Sequence, residues 1–434
     1  MKLTLLIIGF VWPEPTATAM GSRMLELIQL FTNDNWLIVF ACAGTRTAQQ
    51  ANLSAWHVTE QAISLNDASF DAFVAELQPT AVLFDRFFTE EQFAWRVEKV
   101  CPSALRILDT EDFHSLRQAR HTLLKKTQHS SLNETERQSC DPVTASAAQL
   151  HDCIIKEELI LRELAAIYRC DLSLFISDFE YHLLTDYFAV PSALLQYCPF
   201  LNTLPVSTAL LPSFAERHDF ISIGNFRHEP NWDAVLYLKH AIWPLIRKHL
   251  PQAKLLIYGA YAPPKASQLH APQHGFLVKG RAEDALCVMQ QARVCLAPLR
   301  FGAGIKGKLM DAMRVGTPSV TTSIGAEAMA GEFPWGGTIA DSAQALANAA
   351  LALYDNATVW QEAQTHGFAI LQQHCTRADF GDLLLTRIHQ LLTHHESERL
   401  HNITGLMLRH HHHKSTHYLS LWIEEKNKHQ ADHT

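Results

Sequence analysis

Short apolar runs alternate with amphipathic stretches along most of the chain. Runs at Lys2–Ile8, Trp36–Cys42, Ala81–Phe84, Leu105–Leu108, Leu172–Ser177 and Leu194–Tyr197 predict β-strands. Periodic stretches at Gly21–Phe31, Asp71–Leu77, Glu90–Val100, His114–Lys126, Ala145–Ile167 and Phe179–Tyr187 predict helices between them. Strands this short and uniformly apolar, separated by helices, imply a parallel sheet covered on both faces. Gln128–Thr144 is polar and reads as a loop. Asn202–Arg217 contains Pro205 and Pro212, lacks periodicity and reads as a linker.

A second series follows. Its strands are expected at Phe220–Ile223, Lys254–Tyr258, Gly275–Val278, Val294–Pro298 and Ser319–Thr322. Its helices are expected near Trp232–Leu250, Ala282–Ala292, Lys306–Val315, Ser342–Leu353 and Val359–Leu371. The pattern is α/β: two Rossmann-like domains in tandem, residues 1–205 and 206–388, with a helix or tail, in part disordered, over 389–434. Ligands of such sheets bind at the carboxyl ends of the strands, so the cleft between the domains is the expected site.

Composition narrows this picture. The 434 residues, 47% hydrophobic, suffice for two cores. A formal charge of −8, without a long basic patch, argues against a nucleic-acid partner. Nine irregularly spaced cysteines, none in CxxC, fit a reducing cytoplasm. Leu3–Trp12 reads as a first buried strand rather than a secretory leader, because Pro13-Glu14-Pro15 follows it directly. No run is long enough to span a membrane. Eleven of the 25 histidines lie beyond residue 388, including His410–His413. That run reads as a solvated polar tract, since metal sites need ligands spaced by a fold.

The chemistry concentrates at LAPLRFGAGIKGKLMDAMRVGTPSVTTSIG, residues 296–325. An apolar strand enters a glycine-rich turn, and a helix then opens with Lys306 and Lys308. Gly302, Gly304 and Gly307 clear space for a phosphate near the backbone. The amides of Gly304 and Ile305, at the mouth of the helix, can donate to anionic oxygens. The two lysines face different ways on a helix, so Lys306 is assigned to a phosphate and Lys308 to solvent. Asp311, one turn on, is placed to accept from ribose hydroxyls. A tight strand–helix turn with a lysine-capped exposed face fits the same spacing.

Flanking motifs carry a resemblance. Gly302, Gly304, Lys306, Lys308, Asp311-Ala312-Met313 and Gly316-Thr317-Pro318-Ser319-Val320-Thr321-Thr322 resemble the nucleotide-sugar segment of GT-B glycosyltransferases. The type is family 4 (group 1), in the subset with a G-x-G-x-K-x-K loop. Gly325-Ala326-Glu327 continues the match. Upstream, Ile223-Gly224-Asn225-Phe226, Glu229–Val235, Ile242–Ile246 and Lys279–Asp284 resemble the same donor domain in order. The match covers about residues 219–330, and the first half matches more loosely.

The resemblance implies transfer of a sugar from a nucleoside-diphosphate sugar to a hydroxyl acceptor, retaining and metal-independent, with no further cofactor. The acceptor would be a glycan or lipid-linked; the latter brings peripheral contact with a membrane. Candidate donor contacts are Gly224, Asn225, Arg227, Arg281, Gly302, Gly304, Ile305, Lys306, Asp311 and Glu327. Glu327 can equally cap the next helix. If a protein base acts, Asp109 or His114, in the polar strand end Leu108–Arg117, is the candidate. Many family members carry Glu-x7-Glu across this loop; here Ala303 stands for the first glutamate and Asp311 for the second. The same fold also fits a nucleotide-sugar epimerase, which would need a base at the sugar, or a catalytically silent subunit, to which Ala303 points.

Overall fold

The computed structural model describes residues 2–129, 133–201, 207, 211–374 and 377–431. The first sheet holds β1 (Thr4–Gly9), β2 (Leu37–Cys42), β3 (Thr59–Ala62), β4 (Ala81–Asp85), β5 (Leu105–Asp109), β6 (Leu172–Phe175) and β7 (Leu195–Tyr197). Their spatial order is β3-β2-β1-β4-β5-β6-β7, parallel throughout. The second sheet holds β8 (His218–Ile223), β9 (Leu255–Tyr258), β10 (Phe276–Gly280), β11 (Ala292–Ala297), β12 (Ser319–Thr321) and β13 (Gly337–Ile339), in the order β10-β9-β8-β11-β12-β13. The two are the expected Rossmann-like sheets, each reversing strand order beside its first strand.

The uniformly apolar strands are explained by layers on both faces. In β1, Leu5 and Ile7 join one core while Leu6 and Ile8 join the other. Ala81 and Leu83 of β4 point with the first pair, Val82 and Phe84 with the second. This is the period-two alternation of a strand with helices above and below.

Two strands were invisible in the sequence. β3, TEQA, and β13, GTI, are sheet edges, half-exposed and paired on one side. Neither has the apolar run that marks a buried strand. The pattern at Ala145–Ile167 is two helices, Ala147–Ile154 and Glu158–Arg169, the first opened by a Ser146–Gln149 capping box. The expected loop at Gln128–Thr144 contains a short helix, Glu134–Ser139. The helix near Trp232–Leu250 starts earlier, at Glu229, and widens to a π turn over Leu238–Ile242 directly before Pro244. Proline lacks an amide and crowds the preceding turn, and the wider turn relieves both. Half of the proposed linker, including Pro205, lies outside the described residues, as does Cys375.

The C-terminal segment is helical over Arg377–His401 and Ile403–Ala431. Both helices lie on the first sheet's domain. Leu384, Ile388 and Leu391, at helical spacing, enter the same core as Leu5 and Ile7. Arg399 pairs with Asp171 at 2.6 Å, and His395 bonds the Ser103 carbonyl at 2.8 Å. Histidines outside the His410–His413 run pack: His389 pairs with Asp34, and His417 lies against Trp95, while His410 and His411 are exposed. The side chains of His412 and His413 lie outside the described residues. No cluster of metal-ligating side chains occurs among the described residues.

The first helix, Ala19–Asn33, is pinned to β5 by a buried ion pair. Arg23, 1% exposed, meets Asp109, 0% exposed, with Nη2–Oδ1 at 2.9 Å, and donates to the carbonyls of Cys198 and Pro199. The guanidinium is held firmly charged: burial opposes the charge, but Asp109, Cys198 and Glu26 together outweigh it. Asp109→Asn leaves that cation uncompensated. We expect a loss of about 3–5 kcal/mol, read as a lower Tm, with donor and acceptor KM unchanged in the folded protein. An unchanged Tm with lost activity would instead place Asp109 in the chemistry.

Candidate active site

The carboxyl ends of the two sheets face each other across a cleft of about 940 Å³. The second domain supplies its floor. β11 leads into the turn Gly302-Ala303-Gly304, and the helix Gly307–Arg314 opens behind it. Gly304 has φ +64°, a left-handed conformation that favours glycine. A Cβ there would lie 2.9 Å from the Asp112 Cβ and 3.2 Å from the Ile176 Cδ1, both in the first domain. The turn is thus wedged against that domain. Beneath it, Ile305, Leu309 and Met310 share an apolar cluster with Ile176 and Phe200.

Two lysines flank the turn. Lys306 is buried and its Nζ donates to the Gly304 carbonyl at 2.8 Å. Lys308, expected in solvent, instead lines the cleft and donates to Asn231 Oδ1 at 2.6 Å. A Cβ on Gly224 would meet its Nζ at 2.6 Å and the Asn231 amide at 2.7 Å. The segments 223–235 and 302–311, distant in sequence, therefore meet at this ammonium. Burial lowers both lysines to about 8. Asp311 also lines the cleft, its carboxyl raised by burial against the pull of Arg314.

Gly224, Asn225, Arg227, Arg281, Gly302, Gly304, Ile305, Lys306 and Asp311 all line this cleft. Arg227 stacks on the Tyr261 ring at 3.8 Å, and Arg281 reaches Thr16 of the first domain at 3.1 Å. Two expectations need correction. The Gly304 amide, assigned to a phosphate, donates to Glu180 Oε1 at 2.6 Å. Glu327 is not among the lining residues; its carboxylate is held by Arg120, with Nη1–Oε1 at 2.9 Å.

The first domain supplies the opposite wall. His114 is there, its Nε2 at 3.0 Å from Asp112 Oδ1 and its ring edge-on to Phe87. Burial lowers its pKa, which favours the neutral imidazole. Asp109, the other base candidate, is absent from the wall. It is the last residue of β5, and its side chain is turned away toward Arg23.

The residues just after it face the cleft instead. Glu111 and Asp85 clasp Arg86, while Arg117 clasps Asp112. Arg86 and Glu111 both adopt left-handed backbone, at φ 70° and 61°. Such non-glycine strain concentrates at functional sites. Burial raises Glu111 to about 8 even beside Arg86.

Sequence reasoning missed Asp85, Arg86, Tyr261 and His228 in this lining, whereas Arg117 belongs to the polar strand end expected beside the cleft. Burial drives His228 down to about 3, with Arg117 and Lys308 acting the same way. Tyr261 donates to both oxygens of Glu14 at 2.8 Å, joining the domains across the mouth. A usable signal existed for Asp85-Arg86: charged residues directly after a fully apolar strand, at the end where ligands bind.

Residues 217–356 match the family model "Glycosyl transferases group 1". No curated protein sequence matches the chain. Among solved structures, sucrose-phosphate synthase from Thermosynechococcus elongatus superposes with a TM-score of 0.64 at 14% identity, covering 90% of this chain and 100% of that one. HepE from Anabaena, solved with UDP-glucose, gives 0.61 at 11%, covering 90% and 100%. TarM gives 0.63 at 7%, covering 89% and 99%. These likenesses are ones of fold, and the fold is GT-B. A glycosyl transferases group 1 match over residues 217–356, in a domain facing a second Rossmann-like domain across this cleft, supports a nucleotide-sugar glycosyltransferase.

Proposed function

We propose that the transfer is retaining and metal-independent, with the donor diphosphate seated between Lys306, Lys308 and the N-terminus of the helix Gly307–Arg314. The observation that carries this is that Lys306, Lys308 and the first turn of that helix all line the second domain's side of the cleft. Fixed cations and unpaired amides stabilise a leaving diphosphate without reorganising. Asp311, further along the helix, takes the ribose. Arg227 and Arg281, at the rim, close over the nucleotide.

The acceptor hydroxyl enters from the side of Asp112 and His114. The leaving phosphate takes its proton, with His114 orienting the hydroxyl as a neutral imidazole. Solved neighbours hold UDP or UDP-glucose, so uridine-diphosphate sugars lead the list of donors to test. No described helix is long and apolar enough to cross a membrane. For a lipid-linked acceptor, the exposed Ile403, Met407, Tyr418 and Trp422 of the last helix provide the surface contact.

A screen of nucleoside-diphosphate sugars by thermal shift should find a donor that raises Tm, since only a ligand of the folded state does so. With that donor, transfer should persist in EDTA. Lys306→Ala should lower kcat/KM by about 100-fold while Tm stays near wild type. Transfer at the wild-type rate by Lys306→Ala would overturn the assignment of the loop.

The lysines also set a pH dependence. Below about 8 both are ammonium groups that attract the diphosphate; above it the free protein loses their charge. Donor affinity should therefore fall as pH rises from neutral to about 9, with proton uptake on binding. Calorimetric titration in buffers of different ionisation enthalpy measures both. Affinity flat across this range would exclude the lysines from the diphosphate site.

A further inference from the structure

Glu180 is fully buried between the domains, in the first turn of the helix Asp178–Asp186 that follows β6. Its Oε1 accepts the Gly304 amide of the second domain at 2.6 Å. Its Oε2 makes no hydrogen bond of normal geometry, although the Phe113 amide, like that of Gly304, is turned toward the carboxyl. Arg120, also of the first domain, donates to the Gly302 carbonyl at 2.8 Å and to Glu327. The first domain thus grips both ends of the turn Gly302-Ala303-Gly304, by an amide at one end and a carbonyl at the other. Lys306, whose Nζ holds the Gly304 carbonyl, lies within the field of Glu180 and Glu327.

A buried carboxylate with one poorly bonded oxygen is costly, and a merely structural position would more readily hold an amide or an apolar residue. The contact falls on the one turn whose backbone direction sets where the helix mouth and Lys306 point.

We propose that Glu180 and Arg120 form a latch through which closure of the first domain sets the donor-binding conformation of the glycine turn, making Glu180 a positioning residue for sugar transfer. When the domains part, the Gly304 peptide is released and the diphosphate site loosens. The catalytic part of this inference rests on the donor-loop assignment above. A rival role is that the carboxylate merely fills the place of a donor phosphate. The two differ in sign: removing a placeholder tightens donor binding, whereas removing a latch slows transfer.

The test compares Glu180→Ala with Glu180→Gln, which keeps an oxygen that can accept from Gly304. In the apo protein, hydrogen exchange of the peptide spanning Gly302–Lys306 should quicken in Glu180→Ala and stay near wild type in Glu180→Gln. In turnover, Glu180→Ala should lose about 10- to 100-fold in kcat/KM with donor binding weakened, and Glu180→Gln should recover most of both. Unchanged exchange in a folded Glu180→Ala protein would overturn the latch whether or not any donor is turned over. Tighter donor binding by Glu180→Ala would also overturn it, in favour of the placeholder. If wild-type protein transfers no sugar, the donor-loop assignment fails, and the exchange result alone still decides the latch.

Discussion

Burying a guanidinium is tolerable only where acceptors surround it, and this chain buries several at the points where distant segments must meet. Arg23 joins the first helix to β5 and to the carbonyls after β7. Arg217 gathers Pro212, Val315 and Thr317, tying the entry of the second domain to the strand after the donor helix. Arg300 holds Asp233 at 2.6 Å and three carbonyls from residues 137–140 of the first domain. Arg120 crosses to Gly302 and Glu327. Each has a planar fork of donors that only a particular arrangement of oxygens fits. Apolar layers build the two sheets, but these forks fix how the loops around the cleft are set.

The two walls differ in chemistry. The second domain brings Lys306, Lys308 and a helix N-terminus beside Asp311. The first domain brings Asp85, Glu111 and Asp112, held by Arg86 and Arg117 of its own. A diphosphate seated as proposed would meet lysines on one side and carboxylates already paired with arginines on the other.

Much of this was legible in the sequence, for a physical reason. Strands buried on both faces must be apolar throughout, so the core strands announced themselves, while β3 and β13, bonded on one side only, did not. The glycine turn was legible because the left-handed backbone at Gly304 favours glycine and the lysines after it line the cleft. The base was not. Asp109 and Asp112 lie in one polar strand end, and pleat and turn geometry, which the sequence does not print, send one to Arg23 and the other to the cleft. Lys308 was misassigned for a similar reason: helical spacing shows that it diverges from Lys306, but not that Asn231 of another strand–helix unit waits on its side. The last helices were hidden because their apolar positions, Leu384, Ile388 and Leu391, sit among polar and histidine-rich neighbours that pack against the first domain.

Those last helices alter how the two halves can move. The chain leaves the first domain after β7, builds the second, and returns to end on the first. The second domain is therefore tethered at two points, not one. A single tether permits swivelling in any direction, whereas two define a line, and rotation about that line is the motion that stretches neither. An opening about that line would work like a book along one spine and would return the same residues of the first domain to the same glycine turn.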